Sequence, residues 1–328
     1  MPAVVAREAG DVDVLECCQF PLPVPAAGEV LIRVRAAGVN RADVLQRQGR
    51  YPIPTGGTPI LGLEVAGEIV ALGGGVSGWS LGDRVCTLTN GGAYAGYAVA
   101  PAVQLLPWPR GYDAVPAACL PESCFTVWAN VFQAGRLRAG ETALIQGGRG
   151  GVGTMAIELA RAFGARVLAT SGSDEGCRDC LGLGAQHAIN YHREDFVAAV
   201  MAATEEHGVD VVLDHVGASS LERNLAVLAP DGRLVLIGVT GGHVAEHVDL
   251  LPFLARRLVL TGSAMRPRSA AEKGAIAAEL LAKVWPLLNE GRCRPQVAHM
   301  FPLEKVAEAH RLMEEGGYLG KIVLTVPD

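Results

Sequence analysis

Gly148, Gly150 and Gly153 set the first chemical constraint, standing at G-x-G-x-x-G spacing within Gln146-Gly-Gly-Arg-Gly-Gly-Val-Gly. Residues 142–146 ahead of them read as a short buried strand, and residues 155–163 behind them carry helical periodicity. Strand, glycine turn and helix in that order make a phosphate cradle. One glycine turns the chain tightly, one lets the backbone approach a pyrophosphate, and one lets the helix pack on the strand. Free N–H groups and the positive end of the helix dipole then attract negative charge. Gly151 and Val152 complete the loop, and Arg149 adds positive charge near the pyrophosphate. A dinucleotide is the ligand this pattern calls for.

The surrounding elements must hold that loop at a sheet end. Strand patterns at 143–146, 166–170, 187–190, 209–214, 233–238 and 258–262 alternate with helix patterns at 152–163, 175–183, 194–206, 219–228 and 250–255. Regular alternation predicts a doubly wound α/β parallel sheet over 123–265, with ligands at the carboxyl ends of the strands. The end of the second strand reads Ser171-Gly172-Ser173. NAD sites put an acid there, about 20 residues past the glycines. An uncharged Ser171 removes the repulsion that excludes a 2′-phosphate, which favours NADP(H) with NAD still admissible.

Residues 1–122 are different: short strands at 3–7, 15–19, 29–38, 64–72, 84–88 and 96–100, punctuated by prolines and glycine runs, with one short helix at 41–48. Beyond 265, a helix over 270–288, a strand over 298–302, a helix over 303–315 and a strand over 322–326 follow. At 328 residues two domains are expected. A net charge of −6 argues against nucleic acid as the main partner. No apolar run reaches membrane-spanning length, and the first residues lack the build of a signal peptide. Eight scattered cysteines suit reduced thiols in the cytoplasm. Cys177-x-x-Cys180 lacks the second ligand pair a zinc site needs and reads as two thiols on one helix face.

Two further stretches are specific: Gly38-Val-Asn-Arg-Ala-Asp-Val-Leu-Gln-Arg-Gln-Gly-Arg-Tyr51, and Leu61-Gly-Leu-Glu64-Val-Ala-Gly followed by Gly82-Asp-Arg-Val. With the glycine loop they resemble the medium-chain dehydrogenase/reductase superfamily, most closely its zinc-independent quinone oxidoreductase branch, over effectively the whole chain. The resemblance implies a GroES-like β-rich partial barrel (1–122 and 266–328) joined to a Rossmann domain (123–265). It also makes an absence informative. Where zinc enzymes of the superfamily carry metal ligands, this chain has Asn40, Leu63 and, near the third position, Glu122. One glutamate cannot supply the three protein ligands of a catalytic zinc, so no metal is expected.

The expected chemistry is therefore direct hydride transfer to an electron-poor acceptor, which needs positioning and hydrogen bonds to a developing oxyanion. The resemblance gives those bonds to Asn40 and Tyr51, although Asn40 also suits a helix cap and Tyr51 a packed loop aromatic. It assigns cofactor contacts to Thr126, read as beginning the helix into the second domain, and to Ser171, Gly172, Ser173, Tyr191, His215, Ile237, Gly238, Val239, Ala264, Met265 and Gly320. The family's lysine on the 2′-phosphate is replaced by Gly176, with Arg178 as a compensating cation, so a lysine restored at 176 should strengthen NADPH binding. The expected activity is an NADPH-dependent quinone oxidoreductase. The alternatives are an enone, alkenal or enoyl-thioester double-bond reductase, and a nucleotide-binding structural or regulatory protein with little turnover. The apolar sixth strand at the sheet edge predicts a homodimer.

Overall fold

The computed structural model describes residues 1–327. The chain separates into two compact units. One comprises Met1–Phe125, Arg266–Gly291 and the residues from Pro295 onward; the other comprises Thr126–Met265 with Arg292–Arg294.

In the second unit six parallel strands lie in the spatial order His187–Asn190, Arg166–Ser171, Thr142–Ile145, Val209–Asp214, Leu228–Leu236, Val259–Gly262. Counted along the unit this is 3-2-1-4-5-6, the Rossmann order, which reverses beside the first strand. Thr142–Ile145 is buried along its whole length, as expected of a strand covered on both faces. Leu144, Leu168, Ile189, Val212 and Leu234 bring the sheet together in one core. The fifth strand starts earlier than its sequence pattern suggests. Leu228 pairs opposite Val209, the chain swings out through Asp231 at φ 63°, and pairing resumes at Arg233 opposite Val211. The helix after the third strand is shorter, Phe196–Ala203, because the Asp195 carboxylate caps its start by accepting the Val197 N–H.

The first unit is a mainly antiparallel seven-stranded sheet built on the eleven-residue strand Glu29–Val39. One edge of that strand pairs with Glu64–Leu72. Its other edge is shared: Glu29 to Arg33 face Tyr97–Pro101, and Ala36 to Val39 face the C-terminal strand Lys321–Thr325. Val30, Ile32, Val65, Ile69, Ile322 and Leu324 form the core beneath. The register Val39↔Ile322 places Lys321 beside Asn40, and Ala37↔Val65 places Glu64 beside Gly38. The helix Arg41–Arg47 that follows is anchored by fully buried Arg47, which donates to both Glu314 oxygens at 2.7 and 3.0 Å.

Two helices depart from their sequence pattern. The helix expected over 270–288 breaks into Ala270–Lys283 and Trp285–Asn289, because Pro286 has no N–H to continue the ladder. Thr126 does not begin a helix. It is the sixth residue of Pro121–Val127, started by a proline at its first position and continued as a π-helix over Trp128–Ala134. Among the described residues no helix is long and apolar enough to cross a membrane, and all eight cysteines are free thiols.

Candidate active site and cofactor loop

Glu64 is the hub of the polar cluster in the first unit. It has no exposed surface, and its carboxylate takes Asn40 Nδ2 at 2.9 Å, the Glu122 backbone N–H at 2.8 Å and Lys321 Nζ. Lys321 also donates to Asn40 Oδ1 at 2.5 Å. Burial pulls the Lys321 pKa down, but the charge and hydrogen bond of Glu64 prevail and hold it above the ordinary lysine value. The fit leaves no room at Gly38, where a Cβ would stand 2.1 Å from Glu64 Oε1 and 2.9 Å from the Ala118 carbonyl oxygen. Here glycine is needed for close approach.

Asn40 is thus held at both ends of its amide. Its second Nδ2 hydrogen meets only the Gly38 carbonyl at 3.4 Å, a long contact that leaves this one donor weakly bound. Its own N–H goes to Asp43 Oδ2 at 2.8 Å, which closes the start of the Arg41–Arg47 helix. Asp43 also accepts from the Tyr94 hydroxyl at 2.8 Å. Burial outweighs those bonds and pushes the Asp43 carboxyl up to about 7, and its Oδ1 is buried without a partner.

Tyr51 stands apart from this network. Its hydroxyl makes no hydrogen bond to the described residues, and the Arg266 guanidinium lies over its ring at 5.0 Å. Burial, then the charge of Glu122, push the phenol up to about 12. It is a hydrogen-bond donor that keeps its proton. Arg266 is fixed by Gln46 Oε1 at 2.8 Å and the Asn90 carbonyl at 3.0 Å, while Lys273 donates to Asn90 Oδ1 at 2.7 Å.

In the second unit the glycine loop meets the geometry its spacing demands. A Cβ on Gly153 would stand 2.3 Å from the Gly147 carbonyl oxygen and 2.8 Å from Gly148 Cα, so Gly153 is the point of closest helix–strand packing. Gly150 is the N-cap of the Gly151–Ala162 helix, and nothing lies nearer than 3.7 Å to a Cβ there. Gly151 and Val152 form the first turn of that helix. Sequence spacing passed over Gly147, which takes φ 68° and whose Cβ would strike the His215 ring at 2.5 Å; the adjacent Gly-Gly pair was the available signal. A buried chain of bonds steadies the strand ends: Thr170 Oγ1 to Gln146 Oε1, Gln146 Nε2 to Asn224, Asn224 to Ser220, and Ser220 to Asp214. His215 follows that aspartate, and burial holds its imidazole below the usual pKa, hence neutral near pH 7. Ile237 and Gly238 follow the fifth strand, Ile237 donating to the Asp214 carbonyl at 2.8 Å and Gly238 lying against His215. Val239 beyond them is exposed, and so is Ala264 past the sixth strand, whereas Met265 is buried. Thr126 is buried, its carbonyl accepting from Asn130 Nδ2 at 2.8 Å. Gly320 belongs to the first unit, in a φ 93° turn that places Lys321.

Residues 26–110 match the family model for an alcohol dehydrogenase GroES-like domain, and residues 151–282 that for a zinc-binding dehydrogenase. The quinone oxidoreductase of Rattus norvegicus is 32% identical over 327 residues, 99% of this chain and 97% of that protein. The chain belongs to the medium-chain dehydrogenase/reductase superfamily, in its quinone oxidoreductase branch. The quinone oxidoreductase of Escherichia coli, solved in complex with NADPH, has a TM-score of 0.89 at 28% identity, covering 99% of this chain and 100% of that one. A mycocerosic acid synthase-like polyketide synthase of Mycobacterium tuberculosis is 35% identical over 98% of this chain. The chain spans about 15% of the length of that synthase.

For a dehydrogenase/reductase of this superfamily, the corner after the second strand bears on the nucleotide. Gly176 is not an empty lysine seat. A Cβ there would lie 2.0 Å from Ser171 Oγ and 3.1 Å from Arg149 Cδ, so a lysine at 176 fits only if the Ser171 hydroxyl turns away. The Arg149 side chain itself reaches this corner, paired with Glu175 and Asp179 at 2.7 Å each. Ser173 caps the Asp174–Gly182 helix by accepting the Gly176 N–H at 3.0 Å, and Arg178 is exposed on that helix. Tyr191 is half exposed, with its hydroxyl 2.8 Å from where a Gly172 Cβ would be. In the Cys177-x-x-Cys180 pair, burial raises both thiols, Cys180 to about 12, which suits packing and not thiolate chemistry.

Proposed function

We propose that the chain is an NADPH-dependent quinone oxidoreductase that passes hydride directly from the nicotinamide to the acceptor. Tyr51 carries the proposal: a hydroxyl free of protein partners and held protonated, within electrostatic reach of Asp43 in the buried network, where one donor of Asn40 is only weakly bound. Two such donors suit the oxygen of a quinone as it gains charge. The residues at the positions of metal ligands in relatives support a reaction without a Lewis acid. Leu63 is a buried aliphatic, and among the described residues no three His, Cys, Asp or Glu side chains group as a metal site. The glycine loop holds the pyrophosphate, and the NADPH bound by the Escherichia coli relative supports the choice of nucleotide.

Tyr51→Phe should lower kcat for quinone reduction on the order of 100-fold, as loss of one oxyanion donor does, with NADPH binding unchanged. Full activity in that variant would remove Tyr51 from the site. A second reading, hydride to the β-carbon of an enone or enoyl thioester, has support in the polyketide synthase relatives and in a solved 2-haloacrylate reductase with a TM-score of 0.84 at 29% identity. NADPH oxidation across ortho-quinones, alkenals and enoyl thioesters separates the two. Tight NADPH binding without turnover on any acceptor would instead favour a structural or regulatory role.

Arg149 takes the part of the missing lysine on the 2′-phosphate in this proposal, in competition with Glu175. Glu175 is mostly exposed, and surface pairs contribute about 0.2–1 kcal/mol. Glu175→Gln should therefore tighten NADPH by up to about fivefold with NADH unaffected, read by fluorescence titration. Equal change for both nucleotides would exclude a 2′-phosphate role. The edge strand Val259–Gly262, with Val259 and Leu260 partly exposed, is the proposed homodimer contact; a monomer by light scattering refutes it. The free thiols suit the cytoplasm as the compartment.

A further inference from the structure

Completing the reduction requires a proton as well as a hydride. We infer that Glu122 is the proton donor, its carboxyl handing a proton to the acceptor as the hydride arrives. This rests on the reductase reading above. Hydride leaves the nicotinamide, which is oxidised, and adds to the acceptor with both electrons. The Glu122 O–H bond breaks, the new O–H or C–H bond of the product forms, and the carboxylate left behind is reprotonated by water.

Position is the first reason. The Glu122 N–H is bound to one oxygen of Glu64 at 2.8 Å, while the other oxygen holds Asn40 at 2.9 Å. Asn40 and Glu122 therefore hang from a single buried carboxylate. Exposure is the second. From Pro121 through Val131 every residue is buried except Glu122. Glu122 alone in that stretch keeps partial exposure, while its carboxyl is crowded closely enough to be desolvated.

Free capacity is the third reason. Glu64 is spent on Asn40, the Glu122 N–H and Lys321, and Asp43 has left only an Oδ1 that is sealed in the interior, but no side chain of the described residues bonds to the Glu122 carboxyl. The charged and titratable groups around it are Glu64 and Asp43, which favour its neutral form, and Lys321, Lys273 and Arg266, which oppose it. Tyr51 lies within reach of its charge as well. Burial decides the balance, followed by Glu64, and the carboxyl is pushed up to about 7, close to the working pH that suits an acid catalyst. The other groups fail as donors. Tyr51 holds its proton to about 12, Lys321 is locked to Glu64, and Asp43, with a similar pKa, is sealed from solvent.

The test is the pH profile of kcat with NADPH and a quinone that the wild type reduces. Wild-type kcat should fall above pH ~7, as the carboxyl loses its proton. Glu122→Gln keeps the shape and the backbone bond to Glu64. It should lose roughly 100-fold in kcat below pH 7 and lose the descending limb, with the KM for NADPH within about twofold. Glu122→Asp should recover part of the rate and shift the limb. Wild-type kcat and an unchanged limb in Glu122→Gln would overturn the inference. Asp43→Asn is the second variant: the limb should persist there, and its loss would transfer the titration to Asp43 and equally overturn the assignment. A wild type that binds NADPH but oxidises it with none of the quinones, alkenals or enoyl thioesters offered would refute the reductase reading itself, a distinct outcome.

Discussion

Lys321→Met should cost the protein about 3–5 kcal/mol in urea unfolding, the usual penalty for stripping one partner from a buried ion pair. Glu64 would be left charged with no exposed surface, retaining only Asn40 and the Glu122 N–H. The double variant Lys321→Met/Glu64→Gln should recover most of the loss, since removing both charges leaves nothing uncompensated. A single variant that loses less than about 1 kcal/mol would mean that Glu64 is not ionised in the fold. The sign with pH is defined as well. Lys321 has a raised pKa in the folded chain, so its contribution is complete below the unfolded value near 10.4 and fades only as pH climbs through the folded one. Asp43 and Glu122 act oppositely. They ionise near 4 when unfolded but near 7 when folded, so stability falls as pH rises through that window and levels off above it. Asp43→Asn should flatten part of that slope in a series of thermal melts.

Gly153→Ala should weaken NADPH binding. Its methyl would press on the Gly147 carbonyl and Gly148 Cα, both backbone atoms without a rotamer to escape into. Overpacking of this kind costs about 1–3 kcal/mol. If the loop opens to relieve it, affinity drops by roughly 5- to 150-fold. Gly150→Ala makes the contrast, because a methyl there meets nothing closer than 3.7 Å. That variant should fold and melt like the wild type, and it loses affinity only insofar as the pyrophosphate needs the space. Wild-type affinity in Gly153→Ala would show that this loop does not cradle the nucleotide.

The strands were mostly legible because period and punctuation are local properties. Leu15–Gln19, Glu64–Leu72, Arg84–Leu88, His187–Asn190 and Val209–Asp214 run as their sequence patterns predict. The glycine loop was legible for the same reason. Helix ends were less so, since Asp195 and Pro286 act through single hydrogen bonds, present or missing, that hydrophobic spacing does not register. The polar cluster was legible only as separate words. Asn40 and Glu64 lie in recognisable motifs, but nothing local joins Asn40 to a lysine 281 positions away. Gly176 reads two ways, because a missing lysine and a close contact look identical until the neighbour, Ser171, is placed.

The shared edge of the Glu29–Val39 strand also governs the order in which the site comes into being on the ribosome. Asn40 and Glu64 emerge early, whereas Lys321 follows 281 residues after Asn40. At about 5–20 residues per second that delay is roughly 15–55 s. The stretch Thr126–Met265 is almost continuous in sequence and can close its sheet in the interval. The nucleotide loop is therefore built first, and the buried carboxylate must stay wet until the last strand docks.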